Sequence, residues 1–320
     1  MRASIVIRLY NEEKHIPRLL DGIAQQTEQD LEIILVDSGS TDRTLEIVSH
    51  YPLQVVHIKP EEFTFGYSLN QGISQAQGEL IVIANTHVFP VYPDWLKCLL
   101  APFNDSQIAL TYGKQRGNSL NKFSEQQVFR HWYPDTSQSH QPYPFCNNAN
   151  AAIRRSLWED NRYNETLPGL EDLDWAQRIM AQGYAITYIA DAEVIHVHEE
   201  TPMGVYNRYR REAMAFKRMF PHEHYHSWNL AHNLAANIGS DLYQATKQMQ
   251  LASHFSEIFW FRWMQFWGTY KGYRQSGPLT WQLRQTFYYP RGTSLAAPGT
   301  SRDIPPIQYN NLEGTHSPMR

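Results

Sequence analysis

The sequence predicts an α/β fold: a parallel sheet covered by helices on both faces, followed by a helical extension. Three observations carry this reading. Short, continuously apolar runs of strand length recur through the first part of the chain, as strands buried on both faces do. Segments with helix starts and stops separate them, the alternation of an α/β sheet. Past residue 205 the strand signals stop and longer helical stretches take over.

The elements follow in order. Residues 4–9 are an apolar strand, and Asn11-Glu12-Glu13 caps a helix running to about Gln26. Residues 31–36 form the second strand, which ends in the turn Asp37-Ser38-Gly39-Ser40-Thr41-Asp42, and that turn opens a helix over 43–50. A third strand spans 53–58, a helix 70–77, and a fourth strand 79–84, ending at Asn85-Thr86-His87. Residues 93–103 read as a helix and 108–112 as a strand. The segment 116–145 is polar and irregular in character, the composition of a lid or acceptor loop. Strands are expected at 150–154 and 185–189, with a helix over 173–182 closed by Gly183. Residues 206–220 and 230–267 are helical in pattern, and from Gly277 the chain is rich in Pro, Gly, Thr, Ser and Asn. The expected division is therefore an α/β domain over 1–205, a helical extension over 206–276 and a loose tail over 277–320.

Composition narrows the function. The 320 residues carry a net charge of -4, so no basic field points to nucleic acid. Two cysteines, Cys98 and Cys146, exclude a disulfide scaffold and suit a reduced, cytoplasmic compartment. The N-terminus lacks the apolar core of a signal peptide. No apolar run reaches the roughly 18–20 residues of a membrane span.

In open α/β sheets ligands bind at the carboxyl ends of strands, where Asp37 and Asn85-Thr86-His87 both fall. A second acidic group lies later, in Gly169-Leu170-Glu171-Asp172-Leu173-Asp174-Trp175. Clustered carboxylates repel, so one of them can be held near the pKa that a general base needs. The same acids also suit the first turn of a helix.

Ser4-Ile5-Val6-Ile7-Arg8-Leu9-Tyr10-Asn11-Glu12 followed by Val36-Asp37-Ser38-Gly39-Ser40-Thr41-Asp42 resembles the start of the family 2 glycosyltransferases. Phe65-Gly66-Tyr67-Ser68-Leu69-Asn70-Gln71-Gly72, Gly113-Lys114-Gln115, Phe145-Cys146-Asn147-Asn148-Ala149-Asn150, Glu171-Asp172-Leu173-Asp174-Trp175 and Ala192-Glu193-Val194-Ile195-His196-Val197-His198 continue it in order over about residues 3–200. The pattern is most similar to the branch holding rhamnosyltransferase-like proteins. The resemblance implies a GT-A fold, with a mixed, mostly parallel sheet flanked by helices. It also implies inverting transfer of a sugar from a nucleotide-sugar donor to a hydroxyl acceptor, a glycan or lipid-linked glycan, in cell-envelope polysaccharide synthesis.

On this resemblance Asp37 is the nucleoside-binding acid; as a residue it is also a candidate helix cap, although Thr41 and Asp42 are better placed. Tyr10 and Glu12 flank the nucleoside or serve as cap and packing. Arg8 and Lys114 are candidates to neutralise the leaving diphosphate. Asn70 touches the nucleotide or caps its helix. The family's Asp-x-Asp metal motif is replaced by Asn85-Thr86-His87. Asn85 offers only a neutral oxygen, and His87 is a borderline nitrogen donor or a direct phosphate contact. His196 is the favoured partner of His87 for a divalent ion, Mn or Mg by resemblance, with His198 beside it or facing solvent. Asp172 is the expected base and Glu171 its neighbour that orients the acceptor or tunes it. Asp174 faces away or caps the following helix, and Trp175 stacks on sugar or joins the core. His222, His224 and His226 read as surface residues.

Within 255–273, Trp260, Trp263 and Trp267 give one helix face an aromatic character. Packing on the catalytic domain, a dimer contact and a peripheral contact with the inner face of a membrane all fit it. Two rivals to transfer remain open: a catalytically silent nucleotide-sugar or glycan-binding module on the same fold, and a nucleotidyltransferase. The second lacks a glycine-rich basic triphosphate loop.

Overall fold

The computed structural model describes residues 3–275 together with Leu283, Pro305 and Ile307; the rest of the expected tail at 277–320 lies outside the described residues. The N-terminal half alternates β1 (Ala3–Leu9), α1 (Ile16–Ala24), β2 (Leu31–Asp37), α2 (Thr44–Val48), β3 (Gln54–His57), α3 (Phe65–Ile73) and β4 (Leu80–Asn85). Then come β5 (Val88–Pro90), α4 (Trp95–Leu100) running into a 3-10 turn, β6 (Ile108–Arg116), α5 (Phe123–Trp132), β7 (Asn150–Arg154), α6 (Arg155–Asp160), α7 (Glu171–Ala181) and β8 (Ala185–His196). Three helices close the described chain: α8 (Pro202–Met219), α9 (Ser227–Lys247) and α10 (Leu251–Tyr273).

The described strands form one sheet in the order β3-β2-β1-β4-β7-β6-β8-β5. The first four neighbours are parallel, as the apolar runs predict, with Leu9 opposite Asp37 and Arg8 opposite Asn85. Beyond them β7 runs antiparallel between β4 and β6, β6 pairs β8 in parallel, and β5 runs antiparallel beside β8. The sheet is thus mixed, as the family resemblance implied. Alternation along β1 feeds two cores. Val6 joins one face with Ile34 and Ile81, while Ile5 and Ile7 join the other with Leu20 and Trp95.

Several boundaries differ from the sequence reading. Helix α3 starts at Phe65, because the Thr64 side chain accepts the Tyr67 N–H as its cap; Asn70 is therefore inside the helix. Strands β6 and β8 run on through polar residues, which hid them from an apolar pattern. Gln115, Glu193 and His196 are buried there, and a register irregularity lies between Gly113 and Gln115. A Cβ at Gly113 would collide with the Ala192 carbonyl and the Asn150 amide, so only glycine fits. Asn150 stitches this point, donating to the Ala192 carbonyl at 2.8 Å and accepting from Trp95 Nε1 at 2.8 Å. The segment 116–145 contains helix α5 rather than being irregular throughout. The single helical stretch expected over 230–267 is two helices, broken at Met249, whose φ is 55°.

The helical part packs on the sheet domain, and the boundary expected at 205/206 falls inside α8. Gly268 and Gly272 of α10 let its backbone approach the Tyr206 and Arg210 carbonyls of α8. Ile258 of α10 and Ala245 of α9 form a small core with Phe123 of α5. One face of α10 is therefore used within the chain, while Phe255, Phe259 and Trp263 on the other remain exposed. Among the described residues no helix is long and apolar enough to cross a membrane.

Candidate active site

The strand ends are tied together by short polar loops. Asp37 ends β2 and is buried; its two oxygens accept the Gly39 and Ser40 N–H groups at 3.1 and 3.0 Å. Its carboxylate thus folds the turn, with His57 Nδ1 3.3 Å away. Asp42, not Asp37, takes the Thr44 N–H at the start of α2. Asn11, at φ 53°, reaches across from β1 to accept the Thr41 and Asp42 N–H groups. The loops carrying Tyr10, Glu12 and Asp37 are thereby fixed against each other, and Tyr10 and Glu12 are both half-buried beside them.

Arg8 is the hub that links these strand ends to the acids. From the end of β1 its guanidinium donates to Glu171 Oε1 at 3.0 Å, to Asn85 Oδ1 at 3.2 Å and to the Phe65 carbonyl at 3.3 Å. It also lies over the Phe65 ring, 4.7 Å from its centroid. One cation therefore joins β1, β4, α3 and α7. Asn85 spends its side-chain oxygen on Arg8 in this arrangement.

Glu171 and Asp172 begin α7, directly after Leu170, which sits at φ 57° in the left-handed region. For a branched leucine this backbone is strained, and it brings the two carboxylates to Arg8 and Asn148. Glu171 is buried between Arg8 and the Asn148 amide, 3.3 Å away. Asp172 is half-buried, its oxygens accepting the Asn148 and Leu173 N–H groups at 3.1 and 2.8 Å. Burial, then the neighbouring Glu171 carboxylate, pushes the Asp172 carboxyl up to about 7, against those two N–H groups and Arg8. Asp174 instead pairs with Arg178 one turn on, and Trp175 is fully buried in the core.

Three histidines converge at the other edge. One ring nitrogen from each of His87, His196 and His198 lies within 4.8 Å of the other two. His196 is buried, its Nδ1 2.6 Å from Gln115 Oε1 and its Nε2 without a hydrogen-bond partner. Burial, then the two neighbouring histidines, pushes its pKa well down, so the ring is neutral. His198 Nδ1 lies 2.7 Å from Glu125 Oε1. Burial alone would raise Glu125, but His198 and Arg208 outweigh it and hold its carboxyl at about 2. Glu12 Oε1 is 3.6 Å from His87 Nδ1.

Two expected residues are committed elsewhere. Lys114 is buried and paired with Glu193 at 3.3 Å and Asp135 at 2.5 Å. The Asn70 side chain is buried, donating to the Tyr163 carbonyl and Glu165 and accepting from Trp158 Nε1 and the Tyr163 N–H. Conversely, Asn148, Gln115 and Glu125 hold the acids and histidines in place without having been assigned a role from sequence. Asn148 and Gln115 stood inside the matched motifs; Glu125 lay in the segment read as a loop.

The strand-end loops and His87 fall within a family match, while the paired acids, His196 and His198 lie beyond it. The family described as Glycosyl transferase family 2 matches residues 4–161. Residues 4–161 of this chain are a family 2 glycosyltransferase domain. The glycosyltransferase is similar to the O-antigen chain rhamnosyltransferase RfbN of Salmonella typhimurium, 27% identical over 223 residues, which cover 65% of this chain and 70% of that protein. It is also similar to the O-antigen chain rhamnosyltransferase WbaN of Salmonella anatum, 29% identical over 198 residues, covering 58% and 62%. In fold, the glycosyltransferase is similar to the mannosyltransferase PcManGT from Pyrobaculum calidifontis, solved in complex with GDP-Man and Mn2+. The TM-score is 0.57 at 20% identity, over 85% of this chain and 84% of that one. The architecture is the GT-A fold.

Proposed function

We propose that this glycosyltransferase inverts the anomeric centre, moving a sugar from a nucleoside-diphosphate donor to a hydroxyl of a glycan or lipid-linked glycan. The observation that carries the reading is Asp172: a half-buried carboxyl raised to about 7 by burial and by Glu171, beside the ion pair of Glu171 with Arg8. A base of that pKa takes a hydroxyl proton near neutral pH. Asp172 therefore deprotonates the acceptor while the hydroxyl attacks the anomeric carbon from the face opposite the diphosphate. Glu171, held by Arg8 and Asn148, keeps the acid pair in position. Asp37, Tyr10 and Glu12 line the nucleoside end.

The residues present fit a divalent ion: a buried histidine nitrogen stands without a partner in a cluster of three imidazoles. His87 and His196 would hold it, and it would supply positive charge for the departing diphosphate. Similarity to two O-antigen rhamnosyltransferases supports a deoxyhexose donor and an envelope-glycan acceptor. The test is to incubate UDP-, dTDP- and GDP-sugars with the chain and a lipid-linked acceptor extract, with and without EDTA. One nucleoside diphosphate is expected to accumulate, and EDTA to suppress it. Failure of every donor sinks the reading.

The outer face of α10 completes the proposal as a peripheral membrane contact. Phe255, Phe259 and Trp263 are exposed, Trp263 stacks on Trp267, and Lys271 lies over the Trp267 ring. Aromatic rings with flanking cations suit the lipid headgroup layer. Flotation with anionic vesicles is expected for the wild type and lost in Phe259→Ser/Trp263→Ser; equal flotation rejects the contact.

A further inference from the structure

The strongest unexplained feature is how the three histidines are held. A neutral imidazole has one N–H and one lone pair, and a hydrogen bond from the N–H decides which nitrogen keeps the pair. Glu125 Oε1 accepts from His198 Nδ1, 2.7 Å away, and from the Arg208 guanidinium, while its Oε2 accepts from the Asn121 amide. Gln115 Oε1 likewise accepts from His196 Nδ1 at 2.6 Å. Both rings are thus fixed as the Nδ1–H tautomer, with the lone pair on Nε2. In His196 that Nε2 is the buried atom with no hydrogen-bond partner. Two imidazoles locked by outer oxygens, each with a ring nitrogen within 4.8 Å of one on a third imidazole, are how proteins prepare ligands for a metal. His87 closes the group from the end of β4, its ring 5.1 Å from His196 and 5.6 Å from His198 between centroids.

We propose that His198 is a third ligand beside His87 and His196, and that the resulting three-nitrogen centre selects borderline transition ions over magnesium. The inference rests on the metal assignment made for the same site. Nitrogen donors favour ions such as cobalt, nickel and zinc, whereas magnesium asks for oxygen and keeps its waters. The position of the usual Asp-x-Asp supplies no carboxylate here: Asn85 bonds Arg8, and His87 offers nitrogen. Glu125 is a positioning residue for His198. It is itself held by Arg208 of α8, which also pairs with Glu200 at 2.5 Å, so the helical extension supports the centre.

The test uses the tag-free, metal-stripped full chain and reads binding, not turnover. Cobalt chloride is titrated and its visible ligand-field band followed, with isothermal titration of cobalt and magnesium chloride alongside. The expected result is one cobalt per chain, bound at least about 100-fold more tightly than magnesium. Glu125→Gln, which leaves all three imidazoles, is expected to weaken cobalt about 10- to 100-fold. His198→Gln is expected to weaken it further and to change the band, while His222→Ala on the surface changes neither. Equal affinities for the two ions, absence of a one-to-one cobalt complex in the wild type, or an unaltered band and affinity in His198→Gln would each overturn the proposal. Donor cleavage is scored separately: cleavage without cobalt binding removes only the metal assignment, and cobalt binding without cleavage removes only the transfer reading.

Discussion

Asp172→Asn is expected to lower kcat/KM for sugar transfer by about 100- to 10,000-fold, the contribution of a positioned general base. Nucleoside diphosphate affinity should stay within about threefold, because the nucleoside contacts proposed are Asp37, Tyr10 and Glu12, not Asp172. The pH profile separates a base from a merely structural acid. Asp172 works only when ionised, and its carboxyl sits at about 7. The logarithm of kcat/KM is therefore expected to rise with pH up to about 7 and then level, and this limb should vanish in the variant. Stability adds an independent sign. The folded pKa lies above the roughly 3.9 of an unfolded aspartate, so between those values the folded state keeps a proton that the unfolded chain has lost. Asp172 then makes the fold less stable as pH rises through that window. Asn cannot titrate. The melting temperature of Asp172→Asn relative to wild type should accordingly shift in the variant's favour between pH 4 and pH 8. A variant with wild-type kcat/KM at every pH would remove Asp172 as the base.

The parts of this molecule written in apolar runs were legible from sequence. Strands β1, β2, β4 and β7 and the turn at Asp37 fall where expected, because a doubly covered strand must be continuously apolar. What escaped is polar and buried. The second halves of β6 and β8 carry Gln115, Glu193 and His196, whose partners come from distant chain segments, so no local pattern announces them. Lys114 looked like a free cation because Glu193 and Asp135, its partners, are 79 and 21 residues away. Asn70 sits in a family motif, but its four hydrogen bonds run to residues near 160, a contact that spacing cannot show. His87, His196 and the acids of α7 were legible as candidates through the ordered motifs. That His198 belongs with them depends on Glu125, which reads as one more polar residue in a polar stretch.

Arg262→Ala is expected to destabilise the fold by about 3–5 kcal/mol, the cost of leaving one charge of a buried pair alone. Arg262 of α10 donates to both oxygens of Asp241 on α9 at 2.7 and 2.9 Å, and also to Gln265 and the Ser124 carbonyl of α5. Both members of the pair are almost fully buried, at 3% and 1% exposure, so water cannot replace the lost partner. Removing both charges with similar volume is a different case: Arg262→Met/Asp241→Leu is expected to recover most of the loss, read as the midpoint of urea unfolding. The effect should also reach the site. Ser124 precedes Glu125, and Glu125 orients His198. A loosened α9–α10 pair lets α5 drift, so Arg262→Ala should bind cobalt more weakly than the double variant at a urea concentration where both remain folded. A single variant as stable as wild type would mean that the pair is not the anchor of the extension. Equal cobalt affinity in the single and double variants would confine its role to stability and leave Arg208 as the connection between the helices and the histidines.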